Sequence, residues 1–470
     1  MSLRPDRRLF PLLLFLLLAS AFGPVPRSSA SGPDRDFAQA HALYAVAVAS
    51  MLHHHPDEAV ALLRRVIELD PDAYEPRVKL GAILLGRDEA EKAVPLIERA
   101  RDLAPSLPRV GMLLGAAYQK AGRIGDAEVE LERVISFAPP EKSPYLLLGG
   151  LYQAEEKKEE AARVYETGRR ALPDLPEFPF KLGLLSLDGD DPAAAADLFR
   201  EALAVDPGFG DAWLPLAFAL DRQGLGEEAA EWYEKVSRDA PGNTAVYERL
   251  WRIYLERGEY NLAAGKLRML TTLEPLSAQA WFALGMVEHL RGDYGEAVSA
   301  FEQARNLGLD SAELYLALGA ALERRGRFQD AVDNLEKGIS ADPNNPIGYN
   351  YLGYMYAEKG VRLDEAEELI RRALELDPGN GAFLDSLGWV FYRRGDYRAA
   401  LENLEKAAEA SPDEPEILEH LGDASFRLGE DAAARDYWRR ALEAEPEHPE
   451  RLELKIEEGL PAAPGSAPSP

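Results

Sequence analysis

The sequence predicts an all-α chain of about twelve helical hairpins in tandem, and three columns of residues predict it. Small residues recur every 34 positions at Ala47, Gly81, Gly115, Gly149, Gly183 and Ala217, then at Gly285, Gly319 and Gly353; after a one-residue insertion the series resumes at Gly388 and Gly422, with Trp251 filling the gap. Twelve positions after each marker stands alanine, thirteen where the insertion separates Gly353 from Ala366, so that all twelve units carry one, from Ala59 and Ala93 to Ala400 and Ala434. Another twelve residues on stands proline in eleven units, Leu309 being the exception. A fixed period of this length signals units that stack on their neighbours.

Taken from the N-terminus, residues 1–30 read as a signal peptide and short linker: Arg4, Arg7 and Arg8 precede the apolar run Leu9 to Ala19, which is too short to span a bilayer. The expectation is an exported protein, periplasmic or secreted, cleaved after Ala21 or Ala30. Twelve repeats then run from about Ala40 to His448, six over residues 40–243 and six over 244–448. In each, apolar residues such as Leu80, Gly81 and Leu84, then Ala93, Ile97 and Ala100, fall at helical spacing in two short segments. A glycine within a helix costs about 1 kcal/mol relative to alanine, so its recurrence implies close approach of a neighbouring helix, with the alanine column facing it. Proline ends the second helix. Trp251, Leu309 and Pro215, which falls within a first helix, are irregularities expected to alter the pitch locally. Leu452, Leu454 and Ile456 suggest a capping helix over 449–458 with its charged residues in solvent, and the Pro-, Ala- and Ser-rich stretch 459–470 reads as a disordered tail.

Composition removes several functions. The net charge is −28 and no basic patch is evident, which argues against nucleic acid. Zero cysteines exclude disulfides, thiolate metal sites and cysteine nucleophiles. No phosphate-binding glycine loop, zincin pair or serine elbow is present, and the histidines His53 to His55 are consecutive rather than convergent. The candidate acids and bases Asp385, Asp423, His289 and Glu323 are scattered over several units. No catalytic residue, cofactor or metal is therefore expected.

The columns resemble the tetratricopeptide repeat, as in Leu387, Gly388, Phe391, Ala400, Leu404, Ala407 and Pro412 of the penultimate unit. That resemblance implies a right-handed superhelical solenoid whose concave groove is lined by the first helix of each hairpin. Residues half a turn from the packing face then point into the groove: Phe282, Met286, His289, Leu316, Asn350, Tyr354, Asp385, Trp389, Tyr392, Asp423 and Phe426. Rigid aromatics among polar groups suit a protein or peptide partner in the envelope, and the cluster around Tyr354, Trp389 and Tyr392 is the foremost candidate; packing between neighbouring first helices would explain the same residues. The lysine and asparagine carboxylate clamp of some such domains is missing: Asn350 is the lone asparagine among the groove positions, and the same places elsewhere hold Val78, Met112, Leu146, Phe180 and Leu214. The stretch Tyr349 to Trp438 is similar to adaptors that bring substrates to periplasmic processing proteases, although those are commonly lipoproteins and this chain has no cysteine to acylate. A scaffold for assembling polysaccharide or pilus secretion machinery is the other expectation of the same class.

Overall fold

A computed structural model describes residues 32–461 apart from residue 447. The signal segment and the tail beyond residue 461 lie outside the described residues. Within them there are twenty-five α-helices and no strands. The described helices form two compact units that divide between Trp232 and Tyr233, inside the helix Gly226–Asp239. None of the described helices is long and apolar enough to cross a membrane.

Each hairpin is held by the columns the sequence displays. All twelve alanines, from Ala59 to Ala434, are fully buried. The glycines do not pack chiefly against them, however. The large residue four positions after the alanine fills the notch: Ile97 over Gly81, Tyr165 over Gly149 and Phe199 over Gly183 in the first unit, Phe301 over Gly285 and Trp438 over Gly422 in the second. The alanine contributes its backbone, as where the Ala331 carbonyl lies 3.3 Å from the position of a Cβ on Gly319. This is close packing of a ring or branched side chain on bare helix backbone, and it keeps the two helices at a short separation.

A further column closes each first helix. The seventh residue after every marker has positive φ, and the next N–H bonds the carbonyl five residues back, as from Arg123 to Tyr118 at 2.8 Å and from Val361 to Tyr356 at 3.0 Å. This is the Schellman termination, for which glycine is best suited. In the second unit all six such residues are glycine, Gly258 to Gly429, whereas the first unit places His54, Asp88, Glu156 and Asp190 there beside Gly122 and Gly224. A non-glycine residue in that region costs on the order of 1 kcal/mol. The one-residue insertion is absorbed in the same turn, by Val361 and by Arg362 at φ 50°, whose guanidinium lies 4.8 Å from the Tyr356 ring centre.

The irregular positions resolve locally. Pro215 does fall within a first helix, but in its first turn: a 3-10 turn, Gly210–Ala212, precedes the helix Trp213–Arg222, and there the missing N–H is not needed. Where proline is replaced by Leu309, the Ser311 hydroxyl accepts from the Leu314 N–H and starts the next helix. The helix Thr244–Glu256 runs unbroken through Trp251.

The capping helix forms as Pro449–Glu458, but with a different face inward. Leu452 is fully buried while Leu454 is 55% exposed. Lys455, expected in solvent, points into the last hairpin and reaches Glu419 at 2.5 Å and Asp423 at 2.7 Å. Residues 459–461 continue against that hairpin, with the Arg427 guanidinium donating to the Pro461 carbonyl at 2.8 Å.

Candidate functional site

The first-helix face of the second unit contains a continuous aromatic and charged cluster built from three successive hairpins. The helix Pro346–Lys359 supplies Asn350, Tyr354 and Glu358; Gly381–Arg394 supplies Asp385, Trp389 and Tyr392; Pro415–Arg427 supplies Glu416, Glu419 and His420. Trp389 is at its centre. Its ring stacks on Tyr392 at 4.7 Å and 6°, and on His420 at 4.2 Å and 18°, and its Nε1–H donates to Glu358 at 2.5 Å. Tyr354 donates its hydroxyl proton to Glu416 at 3.0 Å, a bond that reaches across the intervening hairpin and brings the first helices close along this inner side. Burial and the nearby Glu416 and Glu358 carboxylates push the Tyr354 phenol well above its usual range.

Beneath the stack lies a buried ion pair. His420 Nδ1 donates to Asp385 at 2.8 Å, and both side chains are nearly inaccessible. Burial by itself lowers the imidazolium's pKa, but the charge and hydrogen bond of Asp385, with Glu416 and Asp423 nearby, reverse this and raise it to about 9. His420 is thus charged at neutral pH. Because its folded pKa exceeds the usual 6.5, its contribution to stability is complete below pH 6.5 and is lost as pH rises through about 9. The urea stability of the native chain relative to a His420→Gln variant is expected to fall by about 2 to 3 kcal/mol between pH 6 and pH 10. A pH-independent difference would remove the charged pair.

Other sequence candidates have different surroundings. Phe282 leans on Phe301 of its own hairpin at 5.7 Å, and Leu316 fills the notch at Gly338. His289 packs edge-on against Tyr294 at 5.2 Å, with burial holding its pKa below the ordinary value. Met286 stays 40% exposed, and the Asn350 Oδ1 is buried without a hydrogen bond. Asp423 and Phe426 do not face an open groove. Asp423 accepts from Trp438 Nε1 at 2.9 Å and from Lys455, and Phe426 leans on Trp438 at 5.6 Å with the rings tilted by 38° and abuts Gly459, so the C-terminal segment covers both. Asp385, expected as a groove contact, is committed to His420 instead.

Beside the aromatic cluster opens a recess of about 710 Å³. Tyr351, Tyr354 and Met355 form part of its wall, with Glu323, Glu358, Glu414, Glu416 and Glu419 around them. Sequence reasoning missed His420, Glu358 and Glu416. His420 lies two positions before its marker, where other units hold Ala317, Tyr351 and Ser386, so no column reveals it. Among the described residues no group of three His, Cys, Asp or Glu is arranged to hold a metal ion.

Family models described as tetratricopeptide repeats match residues 50–117, 186–250, 276–344, 316–381 and 386–449. The chain belongs to the tetratricopeptide repeat family. A TPR repeat-containing protein of Pseudomonas aeruginosa is 46% identical over 57 residues, which are 12% of this chain and 10% of the relative. The chain thus matches only a tenth of that protein's length. Among solved structures, the tetratricopeptide protein YrrB, described as having an unusual peptide-binding site, aligns at 24% identity and a TM-score of 0.34 over 40% of this chain and 97% of its own. The Cut9-Hcn1 complex of the APC/C aligns at 15% and 0.43 over 92% and 97%, and MamA at 28% and 0.32 over 36% and 94%. In tetratricopeptide terms, the stack spans the tenth to twelfth repeats, and the lining of the recess starts in the ninth, at Glu323.

Proposed function

We propose that this tetratricopeptide protein is an exported, non-catalytic scaffold that holds a partner protein on the first-helix face of its second unit. The observation that carries the reading is the recess beside the Tyr354, Trp389 and His420 cluster, where rigid rings and carboxylates from three repeats converge on one open site. Large planar side chains lose little rotamer freedom on binding, and here hydrogen bonds to Glu358 and Glu416 fix two of them in advance. The arginines ahead of the apolar run Leu9 to Ala19 support export, and within an envelope both protease adaptor and secretion scaffold fit such a surface.

A photo-reactive benzoylphenylalanine placed at Tyr354 tests the reading, with the same residue at the exposed Glu402 of a second helix as reference. Irradiation in the host's envelope is expected to yield a protein adduct from position 354 and none from 402. Adducts from neither position, or from 402 alone, would remove this face as the interface.

A further inference from the structure

The recess differs from a plain aromatic groove in the charge of its wall. Glu414, Glu416 and Glu358 are exposed side chains on its lining; Glu358 and Glu416 each give one carboxylate oxygen to an aromatic donor and retain the other. Two arginines also line it, but each stands beside a glutamate, Arg324 3.9 Å from Glu323 and Arg451 3.5 Å from Glu419. Carboxylate is left in excess.

The chain itself shows how such a face is covered. In the last repeat Glu419 and Asp423 occupy the repeat positions that Asn350 and Tyr354 hold two hairpins earlier, and between them sits Lys455, its side chain 13% exposed and its ammonium bonded to both carboxylates. A helix bearing Lys455 and Arg451 has thus docked on the first-helix face by inserting a cation between acidic side chains. Glu419 also lines the recess, so the covered surface and the open one are continuous.

From these observations we infer that the recess takes a basic segment of the partner, a lysine or arginine side chain entering between Glu358, Glu414 and Glu416 with its stem along Tyr351 and Tyr354. A cation over a tyrosine face adds attraction beyond the carboxylates, and a guanidinium serves both, since its plane can stack while its fork meets a carboxylate. This inference rests on the interface reading above and names the chemistry of the occupant.

The test is calorimetric titration of the full mature chain with a capped ten-residue alanine and glycine peptide carrying three arginines, with lysine and glutamate versions as comparison. The arginine or lysine peptide is expected to bind at low salt and the glutamate peptide not to. The variant Glu358→Gln/Glu414→Gln/Glu416→Gln is expected to weaken that binding at least tenfold. A reference variant, Glu402→Gln/Glu405→Gln/Glu409→Gln, removes the same charge from a second helix away from the recess and is expected to change it less than twofold. Failure of both basic peptides to bind, or equal weakening in the two variants, would overturn the proposal. Adducts from position 354 without basic-peptide binding would retain the interface and remove the cation; basic-peptide binding without adducts would do the reverse.

Discussion

Asp423→Ala is expected to cost about 3 to 5 kcal/mol, because it removes one member of a buried charge pair and leaves the other behind. The Asp423 carboxylate, 5% exposed, accepts from Lys455 through both oxygens and from the buried Trp438 indole. Without it Lys455 retains only Glu419 and the indole N–H loses its acceptor. Amide hydrogen exchange is the suitable measurement, since a repeat array opens hairpin by hairpin. Protection over the helix Pro449–Glu458 should collapse in the variant. Adding Lys455→Met should restore part of it, because the uncompensated charge is then gone. A loss below about 1 kcal/mol would mean the pair is solvated.

The second large effect contrasts two neighbouring glycines in the helix Ser143–Ala154. A Cβ on Gly149 would fall within 3 Å of three ring atoms of Tyr165, a residue only 1% exposed. Gly149→Ala should therefore destabilise its hairpin by about 2 to 3 kcal/mol through overpacking. Gly150, one residue on, has nothing within 4 Å of the same position. Gly150→Ala should stabilise by about 0.5 to 1 kcal/mol through helix propensity alone. Urea titrations followed by circular dichroism give both signs. Equal effects would show that the glycine column is not a packing device.

The fold was legible because stacking repeats need the same contact at each step, so glycine, alanine and proline recur where the backbone requires them. The turn column escaped notice for a physical reason: His54, Asp88, Glu156 and Asp190 adopt the left-handed conformation at a cost, and their diversity hides a requirement that glycine meets elsewhere. The inward face of the last helix was misread from the alternation of Leu452, Leu454 and Ile456. Helical phase places Leu452 and Ile456 together and turns Leu454 to the far side, with Lys455 near the inner face. The aromatic cluster around Trp389 could be anticipated from its offset to the markers. Its partners could not, because Asp385 with His420 and Tyr354 with Glu416 join residues one and two hairpins apart, and each pair occurs in one place rather than in a column.

The turns also give the array a direction. In a linear stack each hairpin is stabilised only by its neighbours, so strain confined to a few links decides where opening starts. Four of the six turns in the first unit carry such strain, whereas in the second only the turn that holds the inserted Arg362 beside Gly360 does. Thermal opening should thus begin among the N-terminal hairpins and advance toward the C-terminus, leaving the repeats that carry the recess folded longest and able to keep hold of a partner while the other end breathes.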